Sequence, residues 1–247
     1  CISFVAMSAA SYYTAQNKTI ELVTQNQRQI LKDVKSTLDT FFNNNFQTID
    51  KIAATMSKLD ENRNGIDIAL AQGKAMANKE IALVYAGYDD GAMFRSNGKN
   101  QTPKDGYDPR TRGWYKLAKQ KNGTTFSDPY MAASLKQMVI SFVAPIKDIG
   151  IAATDVSIED LSKDITEISK TDYSYAFVAD KDGNIIMHPD KNLINTKPEI
   201  TKQLIEKYKN KDFNENGLIA YKNTKGEDRY ADFIELNDRG WLAISAM

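Results

Sequence analysis

The sequence predicts an α+β protein, with a long N-terminal helix followed by two antiparallel-sheet modules. Three observations carry this. From about Ala9 to Leu59 no proline or glycine interrupts a run whose apolar residues step mostly by three or four. Between Ile81 and Val156 the apolar pattern reads strand, turn, strand, helix, strand, strand. From Tyr175 a strand–turn–strand pattern begins again, a structural repeat without a sequence repeat.

In the first run the apolar positions are Ile20, Val23, Ile30, Val34, Leu38, Phe41, Phe46, Ile49, Ile52 and Met56, with a polar break from Gln25 to Gln29. A helix of about 48 residues is roughly 70 Å long, more than one small domain needs. Such a helix serves two modules, pairs with a copy of itself, or does both. Its polar first half has a sparse stripe, and its second half is rich enough to pack on a sheet. The three asparagines Asn43 to Asn45 mark an expected local irregularity. Cys1 to Ala10 is apolar and small, but a bilayer span takes about 20 residues. On residues alone it reads equally as a buried helix start or as the tail of a membrane helix.

Composition narrows the function classes. A chain of 247 residues admits one large domain or two small ones, and 42% apolar content is enough for a core. Net charge is zero and basic residues stand singly among acidic ones, so no nucleic-acid partner is expected. One cysteine, Cys1, allows no internal disulfide, and one histidine, His188, excludes histidine-rich metal sites. No nucleophile elbow, phosphate loop, zinc-protease or dinucleotide motif is present, so the chain is expected not to be an enzyme and to need no cofactor.

Residues 60 to 80 read as loop and short helix. Ile81 to Tyr88 is a strand, Asp89-Asp90-Gly91 a hairpin turn, and Ala92 to Arg95 its partner. A helix follows over 108–121. Asp108 caps it and Pro109 takes its first position. Met138 to Ala144 and Ile149 to Val156 are strands, and this order is the PAS-like plan of an α+β module. Ser157 to Ser169 is a helix capped by Ser157, with Asp160 at the capping-box position. Tyr175 to Ala179 and Asn184 to Met187 flank the Asp182-Gly183 turn. Gly217 to Tyr221, Arg229 to Ile234 and Trp241 to Met247 complete a second sheet.

The stretch richest in binding chemistry is residues 105 to 157. On a continuous helix Arg112 and Tyr115 share a face, three residues apart, and Trp114 points about 100° away from Tyr115. A guanidinium and a phenol flanked by an indole suit a small carboxylate. Asp155 is an opposite pole, able to hold an ammonium.

Tyr107-Asp-Pro-Arg-Thr-Arg-Gly-Trp-Tyr115, Asp128-Pro-Tyr130 and Ile151-Ala-Ala-Thr-Asp155-Val-Ser-Ile-Glu-Asp-Leu161 together resemble the membrane-distal module of a double Cache sensor domain. Such domains are carried between two membrane helices by bacterial methyl-accepting chemotaxis receptors, and the resemblance spans nearly the whole chain. It implies a membrane remnant and long helix over 1–58, a distal module over 59–156, a linker helix over 157–172 and a membrane-proximal module over 173–247. It also implies a periplasmic location at the bacterial inner membrane, anchored by flanking transmembrane helices, and a homodimer in the full-length receptor. The ligand would be an amino acid or carboxylate. Arg112, Trp114 and Tyr115 match residues that hold its carboxylate and shape the pocket. Asp155 and Tyr130 match residues that meet its amino group, and Tyr107 matches a further pocket tyrosine.

Two departures stand out. Amino-acid-binding relatives often carry a polar residue where this chain has Ala132, which opens the way to a carboxylic acid, an uncharged ligand, or sensing through a periplasmic binding-protein partner. The turn Lys147 to Gly150 is also shorter than the family usually shows. The same fold serves membrane histidine kinases and diguanylate cyclases, and an adhesin-like structural protein with an empty pocket is the reading from another class. Asp182, His188 and Asp190 read as turn chemistry before they read as a second ligand or cation site. The Asp60 to Gly65 run lacks the downstream glutamate of a calcium loop.

Overall fold

The computed structural model describes residues 2–59, 65–76, 81–171, 174–237 and 239–247. Cys1 and the side chains of 2–13 lie outside the described residues, as does most of the Asp60 to Gly65 run. By contact density the chain divides into two units, Asp39–Leu161, and Cys1–Leu38 with Ser162–Met247. Each contains one antiparallel sheet, and helix α1 (Ile2–Leu59) contributes to both. Among the described residues no helix is long and apolar enough to cross a membrane.

The expected irregularity in α1 is absent. The helix runs through its asparagines, and the buried Asn45 amide donates to the Phe41 carbonyl at 2.9 Å. Thr48, Thr55 and Ser57 likewise return their hydroxyl protons to carbonyls four residues back, so they do not compete with the helix. The polar stretch Gln25 to Gln29 is no break in the buried face either. Gln27 is 3% exposed; its amide donates to Ser174 Oγ at 2.7 Å and accepts from the Ser245 hydroxyl.

In the Asp39–Leu161 unit, α2 (Gly65–Ala75) precedes β1 (Ile81–Tyr88) and β2 (Met93–Arg95). Then come α3 (Gly113–Lys121), β3 (Thr125–Phe126), β4 (Tyr130–Ala132), β5 (Gln137–Ile146) and β6 (Gly150–Ser157). The sheet order is β2-β1-β6-β5-β3, with β4 on the same edge of β5 as β3. Strands of two and three residues are too short to show a period, which hides β3 and β4 in the sequence. The β1–β2 hairpin closes on Gly91 at φ 93°, a backbone that glycine adopts without strain. The short β5–β6 turn closes through Lys147 at φ 41°.

Alternation divides this sheet into two faces. On one, Phe126 and Phe142 meet Phe41, Phe42 and Phe46 of α1 at ring separations of 4.8 to 6.1 Å. On the other, Leu83, Tyr85, Val143, Ile151 and Ala153 pack against Trp114, Tyr115 and Ala118 of α3.

The single helix expected over 108–121 is two pieces. Asp108 does cap a turn, accepting from the Arg110 N–H at 2.9 Å, but that turn is a 3₁₀ turn over Pro109–Thr111. Arg112 is extended, with φ −81° and ψ 147°, and α3 starts only at Gly113. Arg112 and Tyr115 therefore do not share a helix face.

Helix α4 (Ile158–Ser169) starts in the Asp39–Leu161 unit and ends in the other with Ser169, whose hydroxyl accepts from the Ala176 N–H. Ser157 accepts from the Asp160 N–H at 3.3 Å at the start of α4. The second sheet has order β8-β7-β11-β10-β9, from β7 (Tyr175–Ala179), β8 (Ile185–Met187), β9 (Ile219–Lys222), β10 (Asp228–Glu235) and β11 (Leu242–Ala246). One helix here is absent from the sequence expectations, α5 (Glu199–Lys209). Its signal was present: Thr201, Leu204, Ile205 and Tyr208 fall at helical spacing, and the last three pack in one cluster with Phe177, Ile219 and Ile244.

Candidate ligand site

Strand register builds a polar cluster into the α3-facing side of the first sheet. Ser141 on β5 and Leu83 on β1 both lie directly opposite Asp155 on β6, and Tyr85 is two residues along from Leu83. Tyr130 lies opposite Val139, two residues from Ser141, so its ring reaches the same face. Asp155 is 2% exposed. Its Oδ1 accepts from Ser141 Oγ at 2.6 Å, Tyr85 OH at 2.7 Å and Tyr130 OH at 3.4 Å. Tyr130 and Ser141 hydroxyls are 2.8 Å apart, and the Ser141 N–H donates to Ser127 Oγ. Among the described residues Oδ2 receives no hydrogen bond.

Burial pushes the Asp155 carboxyl up to about 6, against the three hydroxyl bonds that pull it down. No cation contributes. The same burial, with the Asp155 charge, drives the Tyr85 and Tyr130 phenols well above their ordinary range. The Trp114 ring stands edge-on to Tyr85 at 4.9 Å and 80°, and so walls the cluster.

Tyr107 packs against the same core, and the guanidinium groups of Arg95 and Arg112 each lie 4.5 Å from its ring centre. Arg112 is exposed, whereas Arg95 is buried and donates to the Lys99 carbonyl. Tyr115 is different. Its ring is buried against Trp114, but its hydroxyl donates to Asp89, which also holds Lys119 at 2.8 Å. Of the six candidate residues, Trp114, Tyr130 and Asp155 converge, Tyr107 joins them with Arg112 on its ring, and the Tyr115 hydroxyl is engaged elsewhere. Ala132 is buried, and Met131 beside it is 59% exposed.

Sequence reasoning missed Tyr85, Ser141 and Arg95. The single hydroxyl of β5 is the signal that could have found Ser141, since a buried polar group needs a partner, and Tyr85 is one of two tyrosines in β1. No group of three potential metal ligands occurs among the described residues. In the second sheet unit, Asp190 caps a 3₁₀ turn over Lys191–Leu193, and His188 Nδ1 accepts the Asp190 N–H at 2.9 Å. The His188 ring packs against Tyr175 and Phe177, and Asp182 donates its N–H to Asp180.

A family profile described as Cache domain, of the double Cache type, matches residues 14–247. The chain belongs to the double Cache family. Its two sheets and long helix are the architecture of solved Cache-type chemoreceptor domains. The ligand-binding domain of the Pseudomonas fluorescens chemoreceptor CtaA, solved with L-serine, aligns with a TM-score of 0.73 at 20% identity, covering 91% of this chain and 96% of that one. The corresponding domain of Pseudomonas aeruginosa PctB, solved with L-Arg, aligns at 0.72 and 20% identity, covering 91% and 94%. By sequence this Cache chain is 37% identical to the methyl-accepting chemotaxis protein PscA of Pseudomonas syringae over 128 residues, half of this chain. It is 24% identical to PctB over 204 residues, 78% of this chain. The matched parts are 20% of PscA and 31% of PctB, so the chain spans well under half of these curated relatives.

Proposed function

We propose that this chain is the extracytoplasmic sensing domain of a transmembrane chemotaxis receptor, and that it binds a free amino acid at Asp155. One observation carries the ligand class. Asp155 is buried with Oδ1 saturated by hydroxyls and, among the described residues, with Oδ2 bare and no cation beside it. A buried carboxylate in that state is costly, and a ligand ammonium at Oδ2 removes the cost. The exposed Arg112 guanidinium, on the Tyr107 ring, is the group available to the ligand carboxylate. Trp114 and Tyr130 form the walls. Amino-acid complexes of CtaA and PctB support this reading.

The Asp39–Leu161 unit is then the membrane-distal module. The other unit is the proximal one, periplasmic and anchored by flanking helices, and the receptor is a homodimer. Binding acts by favouring one of two conformations, and the signal is the difference in affinity between them. Because α1 runs through both units, a change at the sheet has a covalent route out of the distal module.

The test is thermal unfolding with a panel of amino acids and their des-amino acids. A ligand at 100 times its dissociation constant adds about 2.7 kcal/mol. An amino acid should raise the midpoint, its des-amino partner should not, and Asp155→Asn should remove the rise. A rise with the des-amino acid alone would instead fit the apolar wall at Ala132 and a plain carboxylate ligand.

A further inference from the structure

The second sheet carries a cleft of about 420 Å³ at one end, outside the Asp155 cluster. Register brings its walls together. Tyr221 on β9 lies opposite Arg229 on β10, Tyr175 on β7 lies opposite Ala246 on β11, and Ala246 pairs with Ala231, two residues from Arg229. These four side chains therefore project from one face of the sheet. Lys170, just after α4, lines the same space.

The electrostatic demand of this cleft is the reverse of that at Asp155. Among the described residues its lining contains two cationic side chains, Lys170 and Arg229, and no carboxylate side chain. Glu227, outside the lining, accepts from Arg229 Nη2 and from Asn223 Nδ2, both at 2.7 Å. It fixes these two donors at the rim and cancels one positive charge. Arg229 Nε and Nη1 and the Lys170 ammonium make no ion pair or hydrogen bond among the described residues. The Tyr175 and Tyr221 hydroxyls have no hydrogen-bond partner among them either. Burial raises both phenols, Tyr221 to about 12, and the Arg229 charge pulls both back. Unused donors thus face a cleft whose walls include the rings of Tyr175 and Tyr221, with Pro189 and Met247.

We propose that this cleft is a second ligand site, which takes a small monocarboxylate with an apolar body. The carboxylate meets Arg229, Lys170 and the tyrosine hydroxyls, and the body lies against the two rings. An ammonium-bearing ligand is disfavoured here, because both charged side chains of the described lining are cations.

Benzoate and butyrate are the probes, titrated calorimetrically into the 247-residue chain, with benzylamine as the cation of matching shape. Saturable one-to-one binding of at least one anion, and none of benzylamine, is expected. Arg229→Gln should weaken it at least tenfold. Lys170→Gln, which leaves the Glu227 pair intact, should weaken it severalfold, and Tyr221→Phe about threefold. Asp155→Asn should change it less than twofold, whatever that variant does to amino-acid binding. Absence of saturable binding for both anions, equal binding of benzylamine, or an affinity lost in Asp155→Asn and kept in Arg229→Gln would each overturn the proposal.

Discussion

The Ser141 hydroxyl lies 2.6 Å from Asp155 Oδ1, directly across the β5–β6 pair. That single relationship orders the whole cluster. Ser141 has one proton, and it goes to Asp155. Tyr130, 2.8 Å from Ser141 Oγ and 3.4 Å from Oδ1, then divides its proton between the serine and the carboxylate. Tyr85 donates directly to the carboxylate. Every proton in the cluster points toward Oδ1, which leaves Oδ2 as the place where positive charge is wanted.

This arrangement makes stability depend on pH in a stated direction. The Asp155 carboxyl is raised from the ordinary 3.8 to about 6, so between those values the folded chain holds more protons than the unfolded one. Its contribution to stability is complete below about pH 4, falls as pH rises through 6, and is flat above. The gap corresponds to roughly 3 kcal/mol. Asp155→Asn should abolish this slope and raise the ligand-free midpoint at pH 7, in thermal unfolding scanned from pH 4 to 8. In the wild type, amino-acid affinity should weaken up to tenfold per pH unit below 6, as the carboxylate that pairs with the ammonium is lost.

Tyr85 and Tyr115 separate the observed site from the one expected on a continuous helix. Tyr115→Phe removes only a bond to Asp89, so it should cost about 1 kcal/mol of stability and leave amino-acid affinity within twofold. Tyr85→Phe removes a donor to Asp155 and should weaken binding about tenfold at pH 7. Titration calorimetry on both variants decides it. The reverse ranking would restore Tyr115 to the ligand.

The strands other than β3 and β4, both sheets and the long helix were legible because apolar period and turn residues fix them locally. Asp155, Trp114 and Tyr130 were legible through a motif. What was not legible depends on register or on a single backbone angle. Tyr85 and Ser141 become partners of Asp155 only once β1, β6 and β5 are aligned. Arg112 leaves the face of Tyr115 because its ψ of 147° separates a 3₁₀ turn from α3, and nothing in Asp-Pro-Arg-Thr-Arg-Gly announces that.

Gln27 makes the same point for stability. A glutamine in a polar run reads as surface, yet its amide joins Ser174 and Ser245 inside the second-sheet unit. Gln27→Leu should cost about 1–3 kcal/mol, because it leaves the buried Ser245 hydroxyl unpaired and Ser174 with Thr171 alone. Gln27→Glu keeps the acceptor and loses the donor, and burial should make it worse at pH 7 than at pH 5. Denaturant unfolding of both variants measures this, and unchanged midpoints would mean that the buried bridge adds nothing.

Gly87 tests whether the site depends on close packing of strand against turn. A Cβ there would lie 2.6 Å from Pro109 Cβ and 2.9 Å from Trp114 Cη2. Both neighbours are rigid, and Pro109 is fixed by the 3₁₀ turn that Asp108 caps. Gly87→Ala must therefore push the turn and the indole off the sheet, at a cost of about 1–3 kcal/mol. Gly73 in α2 has nothing within 4 Å of its Cβ position, so Gly73→Ala should instead stabilise by up to about 1 kcal/mol through helix propensity. Urea midpoints should move in opposite directions. Because Trp114 walls the Asp155 cluster, Gly87→Ala should also weaken amino-acid binding severalfold, while Gly73→Ala leaves it unchanged. A Gly87→Ala variant with full affinity would show that the indole's position is not what shapes the pocket.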